Sequence, residues 1–185
     1  MIGVIDYGRG NLFSLGNALR HLDVDYQITD DPDVLNNADK LILPGVGAFG
    51  DAMKQLHERK LVGPIREMVS QGKPIAGICV GVQLLMQRSE EFGSHEGLGL
   101  LEGDVRTLPV DDGTQESTRI PNVGWRTLNP NRENRFLADL EPETMVYFVH
   151  SYAPFVENPE DIAATMKLNG QEVCATVCRE NIVGY

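Results

Sequence analysis

Along the first half of the chain the hydrophobic positions change period repeatedly. Residues 2–6 open with a short apolar run that ends at Asp6 and the turn-like Tyr7-Gly8-Arg9-Gly10-Asn11. Leu12, Leu15, Leu19 and Leu22 then recur at intervals of three and four, which predicts one apolar helix face. Residues 24–28 predict a second strand, and residues 40–43 a third, ended by Pro44-Gly45. Between 52 and 68 the spacing becomes helical again. Met53 and Leu56 lie on one stretch and Ile65, Met68 and Val69 on another, with a break around Gly63-Pro64. Gly72-Lys73-Pro74 turns the chain into a buried strand over 75–78, which feeds a helix from Val80 to about Gln87. Strands alternating with helices predict an α/β fold, a mostly parallel sheet flanked by helices.

The second half reads differently. Residues 93–103 form a glycine-rich loop, Asp111-Asp112-Gly113 a turn, and residues 129–135 a polar connection. Strand-like runs at 145–149 and 172–178 alternate with these turns. A β-rich, loop-rich second half, with antiparallel elements at one edge of the sheet, is expected within a single domain spanning residues 1–185.

Composition narrows the function classes. The chain has 185 residues, 42% of them hydrophobic, enough for a sizeable core. Its formal net charge of −11 repels phosphate backbones, and no stripe of Lys and Arg overrides that field, so no nucleic-acid partner is expected. No apolar run approaches the length of a bilayer span, and Met1-Ile2-Gly3-Val4-Ile5-Asp6 lacks the basic region of a signal peptide. Three cysteines fit a reducing, cytoplasmic setting better than a disulfide framework. Cys174 and Cys178 lie in a run of β-formers. On a strand they share a face roughly 13 Å apart, too far to bridge, and they read as core rather than as metal ligands. No metal or cofactor is expected.

Gly77-Ile78-Cys79-Val80-Gly81 has the form G-x-C-x-G, the cysteine counterpart of a nucleophile elbow, with a buried strand before it and a helix after it. The glycines permit a sharp turn, and the helix N-terminus stabilises a thiolate. Gly45, Gly47 and Gly50 satisfy G-x-G-x-x-G, but a dinucleotide fingerprint belongs in the first strand-to-helix turn, and there the third glycine is missing. Backbone N–H groups over Gly45, Val46 and Gly47, facing a nucleophile on a neighbouring strand, suit an oxyanion hole instead. Of the four histidines, His21 and His57 fall in predicted helices at the surface and His95 in a loop. His150 ends a strand, and two readings of it stay open, a hydrogen-bonded packing residue or a member of the site.

Asp6-Tyr7-Gly8-Arg9-Gly10-Asn11, Leu43-Pro44-Gly45-Val46-Gly47-Ala48-Phe49 and Gly77-Ile78-Cys79-Val80-Gly81-Val82-Gln83-Leu84-Leu85 closely resemble the glutaminase subunits of imidazole glycerol phosphate synthases. Pro121-Asn122-Val123-Gly124-Trp125, His150-Ser151-Tyr152 and Asn181-Ile182-Val183-Gly184 extend the resemblance in order over nearly the whole chain. The resemblance implies a class I glutamine amidotransferase fold in which Cys79 attacks the glutamine amide, giving a glutamyl thioester and ammonia. It further implies that Gly45, Val46 and Gly47 form the oxyanion hole, and that Gly47, Gln83, Ser151 and Tyr152 hold glutamine. Ammonia would pass through a channel to a (β/α)8-barrel cyclase in a heterodimer that serves histidine and purine synthesis.

Family members continue after this region into Phe-His-Pro-Glu-Lys-Ser, whose His and Glu complete a Cys-His-Glu triad, whereas this chain stops at Gly184-Tyr185. The expectation is a domain lacking its C-terminal end and inactive as given. Three other readings compete. One is a paralogue feeding ammonia to amidino-sugar synthesis for surface polysaccharide, suggested by Val80, Val82 and the 119–122 stretch. Another is a non-catalytic subunit that shapes a partner. The last is a thiol hydrolase or peptidase of related topology.

Overall fold

A computed structural model describes residues 1–109, 119–130, 136–141 and 143–185. The first half runs β1 (Ile2–Ile5), α1 (Leu12–His21), β2 (Tyr26–Thr29), α2 (Pro32–Asn37), β3 (Lys40–Gly45), α3 (Phe49–Glu58), α4 (Val62–Ser70), β4 (Ile75–Cys79) and α5 (Val80–Leu84). Then come β5 (Met86–Ser89), β6 (His95–Glu96), β7 (Leu101–Thr107), β8 (Asn122–Thr127), β9 (Asn129–Pro130), β10 (Met145–His150) and β11 (Tyr152–Val156). After a 3-10 turn at Pro159–Asp161, β12 (Ile162–Leu168), β13 (Gln171–Arg179) and β14 (Ile182–Gly184) follow.

The main sheet has the order β2-β1-β3-β4-β14-β13-β12-β9. Strands β2, β1, β3, β4 and β14 are parallel neighbours. From β14 outward to β9 the pairing is antiparallel, as expected for one edge. Alternation along the strands sorts side chains to two covers. Val4 and Ile42 face Leu19 of α1, while Leu41, Leu43 and Ile75 meet Phe49, Leu56, Leu61 and Ile65 on the other side. Each fully buried leucine or isoleucine there contributes about 2 kcal/mol of transfer free energy.

Several sequence expectations shift. Leu22 does not join the buried face of α1, because the helix ends at His21 and Leu22 caps it in solvent. The second strand starts at Tyr26, and the short helix α2, begun by Asp31 and Pro32, adds an element that the hydrophobic pattern does not predict. The helical break falls at Arg59 to Leu61, where Lys60 takes φ 58°, rather than at Gly63-Pro64. Pro64 sits in the first turn of α4, where a backbone donor has no intrahelical acceptor and its absence costs nothing.

The helix expected from Val80 to about Gln87 stops at Leu84, because Met86–Ser89 pairs as β5 with β6 and β7. For the same reason the glycine-rich stretch over 93–103 is not all loop. It contains β6 and enters β7, part of a separate four-stranded sheet in the order β11-β7-β5-β6. A third sheet is the two-stranded ribbon of β8 and β10. Of the polar connection at 129–135, residues 129 and 130 form β9; the remainder and the turn at 111–113 lie outside the described residues. No helix among the described residues is long and apolar enough to cross a membrane.

The seating of α5 on the sheet is a contact between backbones. A Cβ on Gly81 would lie 1.9 Å from the Leu43 carbonyl oxygen, whereas one on Gly63 of α4 would meet nothing within 4 Å. Gly81→Ala is expected to destabilise the domain by more than about 4 kcal/mol, and Gly63→Ala to be neutral or to stabilise it by up to ~1 kcal/mol. Urea denaturation of the two variants beside the parent protein checks both signs.

Candidate active site

The carboxyl ends of β1, β3 and β4 converge where the strand order reverses from β1 toward β2 on one side and β3 on the other, the usual place for a site in an open α/β sheet. Cys79 ends β4 and begins α5 with φ 57° and ψ −117°. A side-chain-bearing residue pays about 1–3 kcal/mol to hold such a conformation, so the surroundings must enforce it. Its N–H donates to the carbonyl of Tyr185 at 2.7 Å, and the Tyr185 N–H donates to Gly77 at 3.1 Å, which extends the β14–β4 ladder to the elbow. A Cβ on Gly77 would stand 2.8 Å from the Gly81 carbonyl group, and one on Gly45 would stand 2.7 Å from the Gly81 nitrogen. Three glycines therefore let the turn close, and the Cys79 thiol is left exposed while all five residues of α5 are buried.

The register pairs Gly45 with Cys79, so the two expected halves of the site are neighbours in the sheet. Beyond Gly45 the chain leaves β3 through exposed Val46 and through Gly47, whose φ of 93° is open to glycine at little cost. Gln83 is buried on α5, and its Nε2 donates to the Tyr152 carbonyl at 3.2 Å. Ser151, which precedes Tyr152 in the chain, is half-buried, its carbonyl accepting from the Leu108 N–H. Gln83 thus meets the backbone of Tyr152, the residue that follows Ser151.

One residue of this neighbourhood was not singled out from the sequence. Glu91 is half-buried and its carboxylate accepts from the Phe49 N–H at 2.6 Å, at the start of α3 and two residues beyond Gly47. Its neighbour Phe92 sets its ring edge-on to Tyr152, with centroids 6.4 Å apart. A continuous set of contacts therefore runs from the Gly47 turn through Glu91 and Phe92 to Tyr152 and Gln83. Nothing in Ser89-Glu90-Glu91 distinguishes these carboxylates from a solvated acidic pair, so no local signal could have found Glu91.

His150 resolves to the packing reading. Its Nδ1 is 3.1 Å from the Tyr152 carbonyl and its Nε2 2.9 Å from Asn122 Nδ2. Arg126 donates to Asn122 Oδ1 at 3.2 Å, so Asn122 must turn its amide N–H toward the ring. Nε2 then accepts, Nδ1 carries the proton, and both nitrogens are engaged. Burial pushes the His150 pKa down; the Tyr152 carbonyl opposes this, and the Arg126 charge adds to it. No histidine among the described residues hydrogen-bonds the Cys79 thiol. His21 and His57 are exposed on α1 and α3, and His95 is on β6 rather than in a loop, its ring packed over Gly50.

The remaining thiols lie on β13, as a strand and not a helix. Cys178 is buried, and burial pushes the half-buried Cys174 up to about 12, with a bond to the Thr176 carbonyl opposing. Among the described residues no group of three or more His, Cys, Asp or Glu is placed to hold a metal ion.

Residues 3–185 match the family profile described as glutamine amidotransferase class-I. The chain is 43% identical over 184 residues to the imidazole glycerol phosphate synthase subunit HisH of Syntrophotalea carbinolica, covering 99% of this chain and 89% of that protein. It is likewise 43% identical to the subunit of the same name from Bacillus subtilis, covering 100% of this chain and 86% of the relative. Among solved structures, one described as a glutamine amidotransferase superposes with a TM-score of 0.73 at 18% identity, covering 99% of this chain and 87% of that one. A glutamine amidotransferase from Thermotoga maritima superposes with a TM-score of 0.67 at 15% identity, covering 99% of this chain and 73% of that one. These distant structures share the fold.

The half-buried, hydrogen-bonded His150 has a testable consequence. Its folded pKa is depressed, so its contribution to stability is fully present above the unfolded value of about 6.5 and is lost as pH falls through the folded value. Stability measured by denaturant titration at pH 7.5 and 5.5 should fall more in the parent protein than in His150→Gln. Equal pH dependence in the two would contradict the assignment of a neutral, locked imidazole.

Proposed function

The chain belongs to the class-I glutamine amidotransferase family, and from that premise we propose that it is the glutaminase subunit of an imidazole glycerol phosphate synthase in histidine biosynthesis. In this reading residues 1–185 form one amidotransferase domain. The Cys79 thiolate attacks the side-chain carbonyl carbon of glutamine, and the carbonyl oxygen becomes an oxyanion that backbone N–H groups of the Gly45, Val46 and Gly47 segment stabilise. Collapse breaks the C–N bond, the proton given up when the Cys79 thiol ionised ends on the departing nitrogen, and ammonia leaves a glutamyl thioester behind. Water then cleaves the thioester, so that glutamine and water give glutamate and ammonia. Gly47, Gln83, Ser151 and Tyr152 would hold the substrate. The Glu91 carboxylate, at the rim of the same contacts, has the charge to receive the substrate's α-ammonium group.

The observation that carries the reading is the strained backbone of Cys79, held in register with Gly45. A thiol kept only for packing has no need of φ 57° or of three glycines to permit it, and the same point weighs against a non-catalytic subunit. His150 is a poor general base here, because both of its nitrogens are already engaged.

A (β/α)8-barrel cyclase partner has support of its own in the ribbon of β8 and β10. In a half-exposed ribbon the outward face is expected to be polar, yet Val123, Trp125, Tyr147 and Val149 are 49%, 60%, 54% and 61% exposed on that face. Trp125 and Tyr147 are cross-strand partners packed edge to face, with centroids 5.5 Å apart. An aromatic, apolar patch of this kind is typical of an interface centre. The ribbon leads through His150 directly into Ser151 and Tyr152, so a docked partner would press on a strand joined to the substrate side. Three free thiols fit a reducing, cytoplasmic setting.

Two experiments test this. A glutamine-mimicking electrophile should label Cys79 alone in the full-length protein, and Cys79→Ala should abolish glutamine hydrolysis with the fold intact; persistent hydrolysis would sink the nucleophile assignment. Trp125→Ala should weaken binding of the cognate cyclase by ~30-fold or more while leaving thermal stability nearly unchanged. An unchanged affinity in calorimetric titration would remove the ribbon from the interface.

A further inference from the structure

Tyr7 is the largest fully buried polar side chain near the elbow, and nothing in the chemistry above uses it. It lies two residues beyond the end of β1, and its hydroxyl donates to the carbonyl of Pro44 at 2.7 Å across 37 positions of sequence. The reason lies in the sheet. Pairing between β1 and β3 ends at Val4 and Ile42, two residues short of Pro44. Beyond that point β3 still has β4 on one side, through Pro44 with Ile78 and Gly45 with Cys79, but among the described residues no strand on the other. The Tyr7 hydroxyl supplies the donor that a backbone N–H of β1 would have supplied. A Cβ on Gly45 would stand 2.9 Å from this hydroxyl and 2.7 Å from the Gly81 nitrogen. The phenol and the start of α5 therefore close together on the space a Gly45 side chain would need.

We propose that Tyr7 is a positioning residue for the oxyanion segment: its hydroxyl fixes the Pro44 carbonyl, and so the orientation of the Gly45-Val46-Gly47 peptides relative to the Cys79 sulfur. This rests on the reading of Cys79 as nucleophile and goes beyond it. Rotation of the peptide after Gly45 changes which groups face the site, and the peptide before it is the one that Tyr7 anchors. Burial pushes the phenol's ionisation up, with Arg9 opposing and Cys79 adding to the rise, so the group remains a protonated donor throughout the working range of a thiolate enzyme.

Tyr7→Phe removes one oxygen and keeps the ring that fills the core. In the full-length protein with its cyclase, glutaminase kcat should fall about tenfold, the scale of one lost hydrogen bond, with KM for glutamine within about twofold of the parent. Alkylation of Cys79 by iodoacetamide needs no oxyanion donors and should proceed at the parent rate. A purely structural role would lower melting temperature without splitting kcat from these two controls. An unchanged kcat overturns the proposal, as does a loss carried by KM, or alkylation slowed in step with kcat. If Tyr7→Phe does not fold, 3-fluorotyrosine at position 7 keeps ring and hydroxyl and changes only the acidity of the donor. A shift in kcat without a shift in KM then supports the role, and an unchanged kcat overturns it. Cys79→Ala run alongside separates the two claims. Activity surviving there defeats the nucleophile reading itself, whereas an inactive Cys79→Ala with an undisturbed Tyr7→Phe defeats only the role of Tyr7.

Discussion

The backbone of α5 lies against the backbone of β3 closely enough that no side chain fits between them, and the rest of the site follows from that contact. Gly81 approaches the Leu43 carbonyl, Gly77 approaches the Gly81 carbonyl, and Gly45 approaches the Gly81 nitrogen. With Cβ atoms at these positions α5 would have to lift off the sheet, and the turn that raises Cys79 into φ 57° could relax. Burial of Val80, Val82 and Leu84 in the same short helix offsets the strain, since each aliphatic side chain removed from water is worth about as much as the strained residue costs. The elbow is a strained element clamped by a well-packed one.

Around this clamp the contacts are polar and mutually dependent. Arg126 orients Asn122, Asn122 sets the tautomer of His150, and His150 and Gln83 both donate to the carbonyl of Tyr152. Tyr152 in turn meets Phe92, next to the Glu91 that accepts from the first N–H of α3. The exposed apolar ribbon and the turn beyond Gly45 are thus ends of one connected arrangement. Within it Asn122 and Gln83 are buried, so their hydrogen bonds are costly to leave unmade.

Hydrophobic periodicity determined the parallel half of the sheet. Ile2–Ile5, Lys40–Gly45 and Ile75–Cys79 are local apolar runs, and the leucines of α1 have a period that only a helix satisfies. The elbow was legible for a similar reason, since G-x-C-x-G between a strand and a helix constrains the backbone within five residues. Family resemblance then supplied Gln83, Ser151 and Tyr152, which no local period singles out.

Tertiary structure alone decided the rest. Val80 to Met86 is apolar enough for a longer helix, and only pairing of Met86–Ser89 with β6 and β7 ends it at Leu84. Glu91 and Tyr7 look like a surface acid and a turn aromatic until Phe49 and Pro44, 42 and 37 residues away in sequence, are brought to them. The state of His150 depends on Asn122 and Arg126 from another strand. A local pattern fixes what a residue can do with its neighbours in the chain. Which donor meets which acceptor across dozens of residues is set by strand order and register, and those emerge only when the whole core is packed.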